Sequence, residues 1–287
     1  MLAVDGEPGA PGHAVVRQHQ ACRVNRQRSL DGRPVNAPAK AAPPILFCGD
    51  AHGKFGHILE AAKAFPSSPV VLLGDLELLR SMDEEFEDVA ARLWFIHGNH
   101  DADSPELWER IVDSRLAARN VHGRVMKLPG GTRLAGLGGI FRSSIWYPHP
   151  TPQVNVAPRF RSLKDHARAT PQQARWRDGP HLKNHASIYP SDVARLSALR
   201  ADVLVTHEAP GYHAYGFECL NVLARALGVR FAVHGHQHDC IDSSTKWEAQ
   251  GFRTFGVGLR GITAIDSLGN AEVVVVGEKD HLSPRIC

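Results

Sequence analysis

Five short polar clusters punctuate this chain, and most of them directly follow a run of apolar residues. They are Asp50-Ala51-His52-Gly53, Gly74-Asp75, Gly98-Asn99-His100-Asp101, Thr206-His207-Glu208 and Gly235-His236-Gln237-His238. In open α/β sheets, the loops that follow the carboxyl ends of the strands meet in one crevice. The pattern therefore predicts a single polar site that is assembled from loops distant in sequence.

The apolar runs themselves predict the fold. Residues 45–48, 70–73 and 93–96 are short and continuously hydrophobic, which is typical of strands buried on both faces, and residues 55–65 have a helical pattern. Gly130-Gly131 predicts a hairpin, from which we expect a second, antiparallel-rich sheet. Further helices are predicted at 192–200 and 217–227, and further strands at 202–205, 230–233, 252–257, 263–266 and 271–276. This order favours an α/β fold with two packed sheets flanked by helices.

Composition divides the chain at about residue 44. Residues 1–44 hold six basic and three acidic residues, which leaves 27 of each sign for the remainder and accounts for the net charge of +3. The segment is rich in Pro, Gly, Ala and Arg and lacks hydrophobic periodicity, so we predict a disordered basic leader at 1–43 and a folded domain at 44–281. The leader could bind nucleic acid, or it could be a solvated extension.

Cysteine usage and hydropathy bear on the compartment. The five cysteines are widely spaced and form no C-x-x-C pair, and no stretch approaches the length of a membrane span. The first residues contain no apolar segment of a secretory signal. We therefore expect a cytoplasmic protein that does not interact with membranes.

Taken in order, D-x-H-G, G-D, G-N-H-D, a lone His and G-H-x-H resemble the motifs of the calcineurin-like metallophosphoesterase superfamily. The resemblance runs from about Ile45 to Val276. It implies a four-layer α/β/β/α sandwich of two mixed sheets flanked by helices. It also implies hydrolysis of a phosphate mono- or diester.

The resemblance implies seven ligands for two divalent metal ions. One ion would be held by Asp50, His52, Asp75 and His238, and the other by Asp75, Asn99, His207 and His236, with Asp75 bridging the two. Mixed nitrogen and oxygen ligation suits Mn, Fe, Zn or Ni better than Ca. The sequence does not choose among these metals.

The expected chemistry is attack of a metal-bridging hydroxide on the phosphorus atom. In the superfamily, the His of G-N-H-D lies near the leaving oxygen, so His100 is the candidate general acid. We expect Asp101 to orient the His100 ring through its second nitrogen. For an isolated pair, a mere turn-capping role would be the default interpretation.

Other polar residues near the motifs have ordinary explanations. Cys48 fits a buried structural thiol, and Glu77 and Glu208 are either supports for the ligands or solvated carboxylates. His57, His97 and His122 have no motif support and are interpreted as surface or core histidines.

Residues 142–190 form a long irregular insertion that is rich in Pro, Arg and His. It carries eight basic and two acidic residues, which favours either an anionic substrate with contacts beyond the reacting phosphate or a mobile solvated loop.

Two alternative functions stay open at this point. Residues 136–142 and 206–213 are similar to stretches of RNA lariat debranching enzymes, so a nucleic-acid phosphodiester is an alternative substrate, with His213 as a candidate contact. Those enzymes typically have Cys where this chain has Asp50, and they extend further at the carboxyl end. The other alternative is a non-catalytic scaffold that keeps the fold. The oligomeric state is not indicated.

Overall fold

The computed structural model describes residues 42–148 and 157–280 of the 287-residue chain. The predicted leader therefore lies outside the described residues except for its last two positions. Within the described part, no helix is both long enough and apolar enough to cross a membrane.

The described residues form ten strands and seven helices. The strands are β1 Ile45–Cys48, β2 Val70–Leu72, β3 Leu93–Phe95, β4 Arg124–Lys127, β5 Arg133–Leu137, β6 Val203–Thr206, β7 Phe231–His234, β8 Arg253–Gly256, β9 Ile262–Ile265 and β10 Ala271–Val275. The helices are α1 Gly56–Ala64, α2 Met82–Glu85, α3 Pro105–Val112, α4 Leu163–Ala169, α5 Pro190–Ser197, α6 Glu218–Leu227 and α7 Trp247–Gln250. Short 3-10 turns cover Glu87–Arg92, His100–Ala102, Ala117–Arg119, Gln172–Ala174, Leu182–Ala186 and Ser244–Lys246.

The first sheet has the strand order β10-β9-β1-β2-β3. β1, β2 and β3 run parallel, with Phe47 opposite Val71, whereas β9 and β10 join as antiparallel strands. The carboxyl ends of β1, β2 and β3 therefore lie side by side at one edge of this sheet. The motifs around Asp50, Asp75 and Asn99 follow those three ends.

The second sheet has the strand order β4-β5-β6-β7-β8. The Gly130-Gly131 turn does join the antiparallel pair β4 and β5, but β5, β6, β7 and β8 are all parallel to one another. The expectation of an antiparallel-rich second sheet is therefore wrong. A hairpin signal fixes only its own two strands, while the helical crossovers that follow impose parallel pairing on the rest.

Three apolar layers hold the four-layer arrangement together. Between the sheets, side chains from alternate strand positions interdigitate, and the rings of Phe47 and Phe231 meet edge to face with centroids 6.3 Å apart. The outer face of the first sheet is covered by α1 and α2, and that of the second by α5 and α6. Burying each such large side chain contributes about 2 kcal/mol, so the core fixes the strand ends firmly. The predicted sandwich of two mixed sheets is confirmed.

The start of α3 has two features typical of a helix amino terminus. Ser104 is the N-cap and its Oγ accepts a hydrogen bond from the amide of Leu107 at 3.3 Å, while Pro105 occupies the first helical position. The predicted helix 192–200 begins two residues earlier, at Pro190 of α5.

The described part of the predicted insertion contains one α-helix, α4, and otherwise turns and irregular backbone. Ser162 caps α4 by accepting a hydrogen bond from the Asp165 amide at 3.1 Å. Trp176 and Leu182 pack against a buried cluster of Ala102, Trp108 and Ala186, so part of this segment docks on the domain through apolar contacts.

Candidate metal centre

Two groups of potential metal ligands lie at the carboxyl ends of the parallel strands. One consists of His52, Asp75 and His238, and the other of Asp75, His207 and His236. Within each group, one nitrogen or oxygen atom per residue lies within 4.8 Å of the others. Asp75 belongs to both groups, so the two potential metal sites are adjacent and share one carboxylate.

Asp75 is the residue that joins the loops. It is 1% exposed and comes directly after β2 and Gly74. Its Oδ1 accepts a hydrogen bond from the backbone amide of His100 at 2.9 Å and lies 3.4 Å from Nε2 of His207. The carboxylate thus faces loops that follow strands of both sheets.

His207 is held with one nitrogen aimed into the site. Its Nδ1 donates to the carbonyl oxygen of Leu73 at 2.8 Å, so in the neutral ring that binds a metal the lone pair is on Nε2. That Nε2 atom lies 3.2 Å from Oδ1 of Asn99. The backbone carbonyl that follows β2 therefore favours the tautomer that a metal ligand needs.

His52 is oriented in the same manner by a carboxylate. Its Nδ1 is 2.7 Å from Oε1 of Glu77, and its Nε2 is 3.3 Å from Nε2 of His238. Glu77 is therefore a support for a ligand rather than a merely solvated side chain. Lys279 lies on the other side of His238, with Nζ 3.2 Å from Nδ1.

Asp50 is fully buried, but it belongs to neither three-residue group among the described residues. Its oxygens accept the backbone amide of His236 at 2.9 and 3.1 Å, and Oδ1 lies 3.7 Å from Nδ1 of His207. The carboxylate thus joins the loop after β1 to the loop after β7. Its role as a ligand stays a prediction.

The backbone is strained where these residues lie. Eight described residues other than glycine have positive φ, and five of them are predicted ligands: Asp50, His52, Asp75, His236 and His238. The φ angles of Asp75, His236 and His238 are 48°, 67° and 60°. Left-handed backbone at such residues costs about 1 kcal/mol or more each, and strain of this kind concentrates at functional sites.

Gly98 is required by close packing at the centre of the site. A Cβ atom there would overlap the Asp75 carboxylate and lie 2.6 Å from Cε1 of His207. Only glycine allows the loop after β3 to pass this close to the other two loops.

Burial and mutual charge set the protonation of the group. Burial raises the pKa of Asp50 to about 7, although His207 opposes this shift. Burial alone would lower the pKa of His207, but the charges of Asp75 and Asp50 raise it to about 10. Burial lowers the pKa of His236 and His238 to about 4, so both rings are neutral at pH 7 and their nitrogens can bind a metal.

The residues present fit a pair of divalent cations. Carboxylates that are buried together repel one another, and a nearby cation relieves that repulsion. Neutral imidazole nitrogens combined with carboxylate and amide oxygens suit first-row transition metals. His52, Asp75 and His238 would hold one ion, and Asp75, His207 and His236 the other, with Asn99 and Asp50 adjacent.

Comparison with known proteins agrees with this geometry. The calcineurin-like phosphoesterase family matches residues 43–240 of the chain. The chain belongs to this family.

Two further similarities are consistent with it. An uncharacterized protein from Haemophilus influenzae is 37% identical over 238 residues, which covers 82% of this chain and 99% of that protein. The crystal structure of TT1561 from Thermus thermophilus has a TM-score of 0.51 at 16% identity and covers 82% of this chain and 99% of that one. The second similarity concerns the fold alone. Members of this family generally hydrolyse phosphoesters with a dinuclear metal centre.

One expected contact is wrong in this calcineurin-like phosphoesterase. Asp101 does not contact the His100 ring, because its two oxygens accept the backbone amides of Leu76, Glu77 and Gly98 at 2.7, 3.1 and 2.8 Å. It is fully buried and ties the loop after β2 to the loop after β3. Asp101 therefore stabilises the backbone that presents Asp75 and Asn99.

The partner of His100 is Asp103, which the sequence analysis missed. Oδ2 of Asp103 lies 2.7 Å from Nδ1 of His100. Residues 100–102 form a 3-10 turn, and in that geometry side chains three positions apart lie over each other. Burial lowers the pKa of His100, but the hydrogen bond to Asp103 and the charge of Asp75 outweigh this effect and raise it. The H-x-x-D spacing was the available signal.

The remaining candidates take structural positions. Cys48 is buried in β1, and burial raises the pKa of its thiol. Glu208 is also buried; its Oε1 accepts the Phe141 amide at 3.1 Å and its Oε2 lies 3.9 Å from Nε2 of His236. His97 is buried, and burial lowers its pKa.

His122, His57 and His213 complete this group. His122 accepts the Gly138 amide at Nδ1, and burial lowers the pKa of the half-buried His57. His213 is buried, with Nε2 3.2 Å from Asp239 and Nδ1 accepting the Tyr215 amide. His213 is therefore not presented as a substrate contact.

Proposed function

We propose that this chain is a dinuclear-metal phosphoesterase that hydrolyses a phosphate mono- or diester. The observation that carries the proposal is the sharing of Asp75 between two three-residue ligand groups. Two divalent cations, when bound, supply Lewis acidity that activates water and neutralises the charge of a phosphoryl group.

The chain's own residues perform the other tasks. Leu73 and Glu77 hold His207 and His52 in the tautomers that direct Nε2 into the site. Asp101 and Gly98 hold the loops close together, which keeps the ligand atoms in position before any substrate arrives. Because these groups are already in position, no rearrangement of the loops is needed when charge develops on the phosphoryl group.

We assign His100 the role of proton donor to the leaving oxygen. Asp103 engages Nδ1, so Nε2 is the atom from which a proton is given. The His100 side chain is 47% exposed, which is compatible with contact to a bound ester. The backbone amide of His100 also donates a hydrogen bond to Asp75, which places the residue next to the shared ligand.

The test combines metal content and turnover. We expect the Mn²⁺-loaded protein to hold two ions per chain and to hydrolyse members of a panel of phosphate mono- and diesters, including bis(4-nitrophenyl) phosphate. Asp75→Asn should lose both ions and lower turnover at least about a hundredfold, because one side chain serves both groups. The exposed carboxylate Asp88 offers a matched control, Asp88→Asn, which should change neither quantity.

Two results would contradict the proposal. Retention of two ions by Asp75→Asn, measured by elemental analysis, would remove the shared ligand. Absence of turnover on every ester by the fully loaded protein would favour the scaffold alternative instead.

A further inference from the structure

The basic residues of segment 142–190 fall into two groups. Some have carboxylate partners: Arg168 lies 3.6 Å from Asp165, and Arg177 lies 2.6 Å from Asp113. The other six basic residues of the segment have no ion pair with a carboxylate among the described residues, and Arg159 and Lys183 are two of these six. These two cations can therefore bind an anion from outside the chain without first breaking such a pair.

Arg159 and Lys183 line the same cleft, whose volume is about 400 Å³. His166, His181, Phe160 and Ser144 are also in its wall, and no acidic residue belongs to its described lining. We call this cavity the basic cleft. A concave surface that carries only positive or neutral groups concentrates anions from solution.

One wall of the basic cleft is held rigidly. The ring of His166 stacks on that of Phe160, with centroids 4.0 Å apart and planes 9° from parallel. Its Nδ1 lies 2.9 Å from the hydroxyl of Tyr189, and the residue is 8% exposed. The ring therefore keeps its position without a ligand, which reduces the entropy lost on binding.

The basic cleft is joined to the metal centre by a short stretch of chain. The amide of Arg159 bonds the carbonyl of Ile145 at 2.8 Å, and the amide of Phe141 bonds Glu208 beside His236. Phe141 and Ser144 are three residues apart, which is at most about 10 Å of backbone. A substrate longer than one phosphate group can therefore reach from the centre toward the cleft.

Arg142 lies on this stretch. Its Nε donates to Oγ of Ser187 at 3.0 Å, and the side chain is half-buried. Burial lowers the pKa of its guanidinium, while the charges of Asp103 and Glu208 act in the opposite direction. The Arg142 guanidinium thus lies near Asp103, the partner of His100, and near Glu208.

We propose that the basic cleft binds a second phosphate group of the substrate, beyond the phosphate that reacts. Guanidinium and ammonium groups bind phosphate oxygens through charge-assisted hydrogen bonds, and here one of each lines the cleft together with a fixed imidazole. The inference rests on the proposed function and narrows its substrate class to molecules with at least two phosphates.

A series of oligothymidylates measures this directly. Each carries a 5′-(4-nitrophenyl) phosphodiester as the reacting group, and lengths of one to six nucleotides add phosphates at increasing distance. We expect the KM of the metal-loaded protein to fall about tenfold at the length that reaches the cleft, with kcat unchanged. Arg159→Gln/Lys183→Gln should abolish this step.

The matched control is Lys164→Gln/Arg168→Gln, which removes the same charge from exposed positions on α4 outside the cleft. It should keep the step in KM. A flat KM series for the unmodified protein would overturn the inference, and so would equal loss of the step in both double variants, since that result indicates general charge attraction.

A binding measurement separates this inference from the proposed function. If the unmodified protein releases no nitrophenolate from the one-nucleotide ester, the proposed function fails in this assay. Anisotropy of a 3′-fluorescein hexathymidylate then measures binding without turnover, and the comparison of the two double variants isolates the part that depends on the cleft. Binding about tenfold weaker in the cleft variant than in the control supports the cleft, and equal affinities overturn it.

Discussion

The loops of the metal centre and segment 142–190 are built on opposite principles. The loops are short, follow parallel strands, and are fixed by buried hydrogen bonds such as those of Asp101. Segment 142–190 is long, is only partly helical in its described portion, and packs on the domain through Trp176 and Leu182 in one apolar cluster and through Trp146 and Ile188 in another. The same chain thus combines strained metal-centre loops, fixed by buried hydrogen bonds, with a long segment of largely irregular backbone.

This difference indicates where each property of a phosphoesterase is determined. Strain at Asp75, His236 and His238 is tolerated because two packed sheets fix the strand ends. Loops that run over the surface can change length and charge at little cost to the core. We infer that the proposed reaction depends on the loops of the metal centre, and that the proposed choice of substrate depends on segment 142–190.

Gly98→Ala should break the first region most severely. The new methyl group would overlap Asp75 and approach His207, so three loops would have to separate. We expect loss of both metal ions, turnover lowered at least about a hundredfold, and a free energy of unfolding lower by about 2 kcal/mol. Elemental analysis, turnover and urea titration measure the three effects.

Gly56→Ala is the matched control for this substitution. A Cβ atom at Gly56 meets nothing within 4 Å, and the position is the first residue of α1. It should leave metal content and turnover unchanged. If Gly98→Ala behaved like Gly56→Ala, close approach of the loops would not be what holds the ligands.

Asp103→Asn tests the pair that supports His100 and should have a smaller effect. The amide would replace a charged acceptor at 2.7 Å from Nδ1, so the ring would be oriented less well and would bind its proton less tightly. We expect kcat to fall about tenfold while two metal ions remain bound.

A double-mutant cycle makes this prediction specific to the pair. If Asp103 acts through His100, then His100→Ala/Asp103→Asn should be no slower than His100→Ala alone. Additive losses would show that Asp103 acts on another group. Asp101→Asn should instead lower the free energy of unfolding, because the Asp101 carboxylate accepts hydrogen bonds from backbone amides.

The sequence predicted those features that depend on strand ends. Continuous apolar runs located β1, β2 and β3, and parallel pairing then forces Asp75 and Asn99 together, whatever the loops contain. It could not distinguish Asp101 from Asp103, because that choice depends on whether a loop forms an extended turn or a 3-10 turn. The sequence did predict the crossover helices at 192–200 and 217–227, and these impose parallel pairing on the later strands of the second sheet. The expectation of an antiparallel-rich sheet was wrong because it extended a hairpin signal beyond its own two strands. The basic cleft is formed by side chains from 144 to 184 that only tertiary packing brings together.

Arg177→Gln should have the smallest effect on stability and turnover, and it tests what holds segment 142–190 on the domain. Its guanidinium donates to Asp113, the C-cap of α3, at 2.6 Å and to Glu109 on α3 at 3.2 Å, but it is exposed to solvent. Exposed ion pairs contribute less than about 1 kcal/mol, so we expect a loss of that size and unchanged turnover. Trp176→Ala removes apolar packing against the cluster of Ala102, Trp108 and Ala186 and should lower the free energy of unfolding by about 2 kcal/mol or more. If urea titration showed a larger loss for Arg177→Gln than for Trp176→Ala, ion pairs rather than aromatic packing would hold this part of segment 142–190 on α3. Its position would then depend on salt concentration.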